Sequence, residues 1–577
     1  MIALRRWLAR AAVFVLVLLL AAALSLFIWR DNIHSLLADW TGEEDTSYQF
    51  RGLAIQTLAL FQPHPDTADF ASMANTDLPP FGINTFLEQE VEESKVTQSL
   101  QLIHDAGFRF IRQEFPWEDI EKPGKGQFWD AKYNHSTWDK YDRIVEIAGE
   151  YGIQVVARLD HPPNWTRHDG AARGNFAPPD NYQDYGDFVS ALVSRYKGKV
   201  KYYQLWNEPN ICCEWGNQPV NAADYTRLLK IGYAAVKKAD PNAVVISAGL
   251  APTKEMTARD LSDTVFLQQM YDAGARGSFD VLGVQDYGLF TGPGDRRLEW
   301  DRMNFSRPLM IRGIMVKNGD ADKPIWAMEV GWNVLPASFK DTTYGRVSEE
   351  QQARYAVQAY TRAQEEWPWM GPMMYWFFRR VNDSEMNQAW YYYRMFEPDF
   401  TPHPVYAALK DYIAGANWLG IGWHQESDWA LDYGGDWKPD VADEAAAGAY
   451  RVGYPGAQLH FRFHGTDAEL ALLQNPYSGA ASVRVDGAAA REIDLRATDP
   501  AASGRIALAR GLRDGEHKVD LTVTRGQLNL DGVVIQRTNA WLLTIAAWAA
   551  GVTLAAGVAW FAVRRYRRPL VRGEQAG

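Results

Sequence analysis

Val200-Lys-Tyr-Tyr-Gln-Leu-Trp-Asn-Glu-Pro-Asn210 is the stretch on which the fold turns. An apolar, aromatic run of strand length ends abruptly in Asn207-Glu208, and Pro209 closes it. Pro324-Ile-Trp-Ala-Met-Glu-Val-Gly-Trp332 repeats the plan, with Glu329 behind its apolar run. A carboxylate at the end of a buried strand is costly to desolvate unless it is paired or used. Two such carboxylates on two such runs therefore call for a scaffold that brings strand ends together.

Working outward, residues 79–380 hold eight runs of this kind. They are Phe81–Thr85, Phe108–Gln113, Ile153–Leu159, Val200–Trp206, Ala243–Ala248, Phe279–Val284, Pro324–Met328 and Pro372–Phe377. Segments such as Asp184–Tyr196 and Ala222–Ala239 lie between them, with apolar residues recurring every three or four positions, the helical period. Strands alternating with helices make a parallel sheet. Eight such units match a (β/α)8 barrel, whose usual size is about 250 residues plus insertions. A doubly wound open sheet is the competing arrangement. It leaves unexplained why polar residues collect at the C-terminal ends of the runs: Asn84, Arg112 with Glu114, Asp160-His161, Asn207-Glu208, Gln285 with Tyr287, Glu329 and Trp376. In a closed barrel those ends meet at one mouth, where barrel enzymes keep their active sites.

From about Ala416 the pattern changes to short alternating runs, among them Gln458–Phe463, Ser482–Asp486, Lys518–Thr524 and Leu528–Ile535. Gly, Asp, Asn and Pro separate them, as in a small antiparallel sandwich. No low-complexity linker intervenes, so the sandwich is expected to pack on the barrel.

Both ends of the chain are apolar. Ala11–Ile28 follows Arg5, Arg6 and Arg10, and Ala540–Val563 precedes Arg564, Arg565, Arg567, Arg568 and Arg572. About twenty apolar residues suffice to cross a bilayer as a helix. The first run continues apolar to Trp29, which favours a retained anchor over a cleaved signal peptide. The flanking arginines put both termini in the cytoplasm, with the catalytic part on the periplasmic side of a cell (inner) membrane. The expected division is a cytoplasmic N-terminus and transmembrane helix over 1–30, a lead-in over 31–78 and the barrel over 79–415. A β-sandwich over 416–538, a second transmembrane helix over 539–563 and a basic cytoplasmic tail over 564–577 complete it.

The net charge of −12 argues against a nucleic-acid partner. No His/Cys/Asp cluster has metal-ligand spacing and no Gly-rich phosphate loop occurs, so neither metal nor cofactor is expected. The two cysteines are adjacent, Cys212 and Cys213. A vicinal disulfide and two free thiols both fit an extracytoplasmic setting. The 23 Trp and 27 Tyr suit stacking on sugar rings as well as core packing.

Paired carboxylates of this kind are what glycosidic bond cleavage needs: one protonates the leaving oxygen, the other attacks the anomeric carbon or activates water. The acid needs a raised pKa and the nucleophile must stay ionised. Arg112 is a fixed cation suited to hold Glu329 as carboxylate, and Tyr287 is placed to donate to it. Glu208, between Trp206 and Pro209, is the better candidate for the protonated acid.

The string Trp206-Asn207-Glu208-Pro209-Asn210 after the fourth strand, with a glutamate after the seventh, resembles the retaining glycoside hydrolases of clan A. Among these it looks closest to family 39, the β-xylosidase-like enzymes and their exopolysaccharide-cleaving relatives, with family 5 next. The resemblance covers residues 79–414. It implies Glu208 as acid/base, Glu329 as nucleophile, Asn207 on the sugar 2-hydroxyl, Trp376 as the floor of that subsite, and Arg112 as the arginine after the second strand. Gln285-Asp286-Tyr287 departs from the His-x-Tyr that family 5 members show after strand six; the tyrosine survives and Asp286 adds a charge. His161, Gln285, Trp165 and Trp332 are further candidates for substrate contacts. The expected protein is a membrane-anchored enzyme cleaving β-linked envelope or extracellular polysaccharide or oligosaccharide. A transglycosylase with the same pair, or a non-hydrolytic carbohydrate-binding component of an exopolysaccharide system, are the rival readings.

Overall fold

The eight apolar runs form eight parallel strands, as fully buried segments covered on both faces do. They are β1 (Phe81–Thr85), β2 (Phe110–Glu114), β3 (Gln154–Leu159), β4 (Tyr202–Leu205), β5 (Val244–Ile246), β6 (Leu282–Tyr287), β7 (Ile325–Gly331) and β8 (Met370–Tyr375). The computed structural model describes residues 29–59, 64–496 and 503–538. In the sheet the order is β5-β4-β3-β2-β1-β8-β7-β6. Parallel bridges Ile246↔Val281 and Leu250↔Val284 join the two edges and close the barrel. Its interior is filled by Phe110, Val156, Tyr202, Val244, Ile246, Trp326, Met328 and Met374. The larger apolar layer lies between strands and helices.

The helices begin before the barrel. Arg30–Thr41 (α1) and Thr46–Ala59 (α2) form a hairpin, and eight barrel helices follow the strands in turn. These are α3 (Glu93–Asp105), α4 (Asp139–Glu150), α5 (Tyr182–Tyr196), α6 (Ala222–Ala239), α7 (Asp263–Asp272), α8 (Pro308–Lys317), α9 (Glu349–Glu366) and α10 (Pro404–Ile413). Local signals set several starts. The Asn181 and Asn221 side chains cap α5 and α6. Ser348 and Gln351 form a reciprocal capping box on α9.

The lead-in over 31–78 is more than a linker. Its hairpin docks on the barrel through Glu43 with Arg297, Glu44 with Arg354 and Tyr355, and Asp39 with Gln358.

Two antiparallel sheets make up the C-terminal sandwich, around Leu459, Phe461, Phe463, Leu470, Val519, Leu521 and Val533. It packs on the barrel. Ile421 N–H donates to Glu365 O at 3.3 Å and Trp429 N–H to Asp77 O at 3.1 Å. A Cβ at Gly420 would stand 1.7 Å from Gln364 O, so only glycine permits this approach.

No helix among the described residues is long and apolar enough to cross a membrane. Both expected spans, Ala11–Ile28 and Ala540–Val563, and the basic tail lie outside the described residues.

Candidate active site

Arg112 organises the mouth. On β2 the alternation of side chains turns Phe110 and Arg112 inward and Ile111 outward. The guanidinium, 2% exposed, spends its donors on four acceptors. Nε donates to Gln204 Oε1 at 2.6 Å, and Nη2 to Asn207 Oδ1 at 2.7 Å. Nη1 donates to Asn84 Oδ1 and to Glu329 Oε1, each at 2.8 Å. Tyr287 O–H donates to the second Glu329 oxygen. The carboxylate is thereby held between a fixed cation and a phenol.

Glu329 reaches the mouth through a β-bulge. Trp326 and Met328 already point inward, so strict alternation would send Glu329 out toward the helices. Val284 pairs with Ala327 and Gln285 with Glu329, which leaves an extra residue in β7. The pairing with β8 shifts at the same place, from Met373↔Ala327 to Tyr375↔Val330. A bulge re-aims a side chain in this way.

Glu208 arrives differently. Trp206 and Glu208 have φ of 78° and 34°, in the left-handed region that non-glycine residues seldom occupy. The turn buries Trp206 against Tyr185 and Trp215. Its indole N–H donates to Glu214 O at 2.8 Å. Asn207 and Glu208 are left at the mouth. Burial pushes the Glu208 carboxyl well above its ordinary pKa, and the charges of Glu329 and Glu214 push it further. Arg112 and Arg158 oppose them. Two carboxyls at one mouth thus differ in surroundings: one is paired with a cation, the other is held toward its protonated form.

Asn207 Oδ1 accepts from Arg112 and, at 3.2 Å, from Gln285 Nε2. Its amide nitrogen donates to Glu214 Oε2 at 3.3 Å. Trp376 packs edge-on against Phe86, 5.5 Å between centroids, and stays half-buried. Trp165 and His161 line a separate lobe of about 590 Å³, together with Glu88, Glu114 and Asn175. Trp332 is not a substrate residue. It is fully buried against Phe305 and Tyr355, with its indole N–H on Thr291 O at 2.8 Å. A tryptophan that follows a strand end is equally suited to anchor a loop, and here it does.

Asp286 stays clear of the mouth chemistry. It alternates outward from Gln285 and Tyr287, is buried, and has neither oxygen hydrogen-bonded. Burial raises its pKa well above the ordinary value, with only Arg362 opposing. A carboxyl whose folded pKa exceeds its unfolded one favours folding most below the unfolded value, about 3.9. That stability is lost as pH rises above it. Asp286→Leu is therefore expected to stabilise the fold at pH 7 by about 1–3 kcal/mol, the usual cost of an unsatisfied buried polar group. Urea unfolding at pH 4 and pH 7 checks this: the gain should grow with pH, and equal stability of the two proteins at pH 7 would refute it.

Two site residues, Arg158 and Glu214, carry no signal in the linear sequence. Arg158 on β3 donates to Asp160 Oδ2 at 2.6 Å and to Glu114 Oε1 at 2.9 Å. His161 Nδ1 lies 2.7 Å from Glu114 and 2.8 Å from Asp160. Burial alone would lower the imidazole pKa, but the two carboxylates hold it well above the usual range. Glu114, Asp160 and His161 bring three potential ligand atoms within 4.8 Å of one another, a grouping that linear spacing did not announce. Arg158 and the histidine already balance both carboxylates, so the cluster reads as a charge network. Burial pushes the Glu214 carboxyl up to about 7. It sits six residues past Glu208 in a loop without a motif. Cys212 and Cys213, beside it, are free thiols with sulfurs 3.0 Å apart.

Residues 71–264 match the family model described as cellulase (glycosyl hydrolase family 5). Residues 442–539 match the model described as carbohydrate esterase 2 N-terminal. The first match contains Arg112 and Glu208 and stops before Glu329. Among curated proteins, a β-xylosidase of Geobacillus stearothermophilus is 30% identical over 77 residues, 12% of this chain and 15% of that protein. A 6-phospho-β-glucosidase of Clostridium longisporum is 28% identical over 116 residues, 20% of this chain and 23% of its own. The chain thus spans less than a quarter of the length of these relatives. Among solved structures, a family 39 glycoside hydrolase from Bacteroides cellulosilyticus WH2 aligns at 17% identity and a TM-score of 0.45, over 80% of this chain and 83% of that one. By the matched segment and the barrel that contains it, the chain resembles the clan A glycoside hydrolases, through family 5 over residues 71–264.

Proposed function

We propose that this protein is a retaining glycoside hydrolase that cleaves β-glycosidic bonds of an envelope or extracellular polysaccharide or oligosaccharide by double displacement. The observation that carries the reading is the opposite treatment of two carboxyls at one barrel mouth. Arg112 and Tyr287 both donate hydrogen bonds to Glu329, while burial and neighbouring negative charge push the Glu208 carboxyl well above its ordinary pKa.

In the first step Glu208 gives its proton to the glycosidic oxygen while a Glu329 oxygen attacks the anomeric carbon. The bond to the leaving sugar breaks and a glycosyl–enzyme ester forms. Glu208, now a carboxylate, then takes a proton from water, whose oxygen displaces Glu329. Asn207, its amide oriented by Arg112, Gln285 and Glu214, is placed for the sugar 2-hydroxyl, and Trp376 for the ring face. Exposed Tyr344 and Trp390, their rings 6.5 Å apart, offer flat surface beyond this pocket. Tyr344 O accepts from Tyr393 O–H at 2.8 Å, and the Tyr393 ring packs on Tyr287, which ties that surface to the nucleophile's partner.

The anchoring part of the proposal rests on sequence: two apolar runs flanked by arginines, with both termini cytoplasmic and the barrel on the far side of a cell membrane. The test is release of new reducing ends from envelope polysaccharide and aryl β-glycosides by the full chain in detergent. Hydrolysis predicts a steady rise. A redistribution of chain lengths without reducing ends would assign transglycosylation instead, and binding without any change would remove the enzyme reading.

Glu214 supplies a finer check. Its charge contributes to the raised Glu208 pKa, so Glu214→Gln should lower that pKa. The alkaline limb of kcat/KM then moves to lower pH by less than about one unit, while the acid limb stays in place. An unmoved alkaline limb would show that Glu214 does not act on the acid.

A further inference from the structure

Helix α9 contacts both ends of the described chain, and the order of those contacts shows where the chain leaves the fold. Near its start, Arg354 and Tyr355 hold Glu44; one turn on, Gln358 Nε2 donates to Asp39 at 2.8 Å. Asp39, in the last turn of α1, thus lies one turn further along α9 than Glu44, in the loop after α1, so the chain leaving α1 runs against α9. The start of α1 therefore points toward the C-terminal end of α9. At 1.5 Å per residue, the stretch from Asp39 back to Trp29 covers about 15 Å, and that from Gln358 to Glu365 about 10 Å.

The other end of the chain arrives at the same place. Glu365 faces Arg537 at 3.9 Å and His464 at 3.1 Å, just beyond the last sandwich strand, Leu528–Gln536. The C-terminal end of α9 leads into the start of β8 at Met370, which is the barrel end opposite the mouth. Large apolar side chains are exposed here: Trp29 before α1, Leu58 in the last turn of α2, and Phe70. Asp69, next to Phe70, accepts from the Trp369 indole at 3.1 Å, which fixes that segment under β8.

We propose that this end of the barrel rests on a lipid bilayer, with Trp29, Leu58 and Phe70 at the headgroup level and the mouth facing away from the membrane. The separation is comparable to the length of α9, about 27 Å. The inference rests on the anchoring reading above. The described chain begins at Trp29 and ends at Thr538 at this one end, next in sequence to the apolar runs Ala11–Ile28 and Ala540–Val563. Exposed aromatic side chains beside a span belong at a membrane–water interface. The consequence for substrate is that the site serves saccharide chains held well clear of the bilayer, rather than a sugar attached to a lipid headgroup.

The experiment uses the full chain reconstituted in vesicles of phosphatidylethanolamine and phosphatidylglycerol that carry a nitroxide-labelled headgroup. One fluorophore goes on the exposed thiol of Cys213, beside the acid/base loop, in a Cys212→Ser background. Another goes on Leu58→Cys with both native cysteines changed to Ser, and Phe70→Cys repeats the test should that variant fail to fold. The expected result is several-fold stronger quenching at Leu58 or Phe70 than at Cys213. Equal quenching, or stronger quenching at Cys213, would overturn the orientation. Shielding of Leu58 from aqueous iodide without nitroxide quenching would assign the apolar face to a protein partner and overturn the proposal. Failure of the chain to float with the vesicles would remove the anchoring reading itself, an outcome distinct from a wrong orientation.

Discussion

Glu329→Gln is expected to lower kcat/KM on β-glycosides by about four orders of magnitude, because it removes the carboxylate proposed to form the covalent intermediate. The fold should survive, since the amide oxygen still accepts from Arg112. Glu208→Gln should behave differently. Loss of a general acid costs about 10²–10⁴ on substrates with a poor leaving group. On an aryl glycoside whose leaving group needs no proton, the first step should be largely spared. Azide sharpens the distinction. With Glu329→Ala, azide enters from the vacated face and yields a glycosyl azide of inverted configuration. With Glu208→Ala, it attacks the glycosyl–enzyme and yields the retained configuration. An active Glu329→Gln, or one azide configuration from both variants, would reverse or remove the assignment.

Arg112→Met carries the second large effect, and it acts on stability as well as activity. The substitution keeps bulk but leaves Glu329 a buried carboxylate without its cation, and strips donors from Gln204, Asn84 and Asn207. Breaking a buried pair from one side costs about 3–5 kcal/mol. In urea unfolding the Arg112→Met, Glu329→Gln double variant should recover part of that loss, because no unpaired charge remains. A double variant no more stable than Arg112→Met alone would show that the guanidinium acts through its neutral partners. In kinetics, Arg112→Met should also lower kcat/KM, because Glu329 and Asn207 both lose the guanidinium that positions them.

Much of this was readable from residue order, for reasons that are local. A strand buried on both faces is largely apolar, and most of the eight runs announced themselves that way, with Phe108–Gln113 the most polar of them. Turn chemistry announced the sandwich, where Arg525-Gly526-Gln527 links its last two strands and Gly526 takes a φ of 64°. Strand-end polar residues marked the mouth as a set. The reading failed where local sequence is ambiguous. Trp332 and Trp165 both follow strand ends, yet one is core and the other lines a lobe. The lead-in over 31–78 looked like a connection because α1 and the loop after it turn polar residues, Asp39, Glu43 and Glu44, toward the barrel, while the helices leave Leu36, Trp40, Phe50 and Leu58 outward.

The amino-acid order by itself determined an alternation of apolar runs and helical segments, a second antiparallel domain, and the two glutamates with the arginine and tyrosine that serve them. These follow from period, length and burial, which each segment carries alone. Only the tertiary structure decided which way those side chains point. The extra residue in β7 exists as a bulge only against β6 and β8, and it turns Glu329 inward where strict alternation would have hidden it among the helices. The positive φ at Trp206 and Glu208 is sustained by the packing of Trp206 on Tyr185 and Trp215. Glu214 and Arg158 become site residues through neighbours far away in the chain, Arg158 through Glu114 and Glu214 through Arg158, Asp160 and His161. Register and long-range charge are properties of pairs of segments, so no single stretch of sequence holds them.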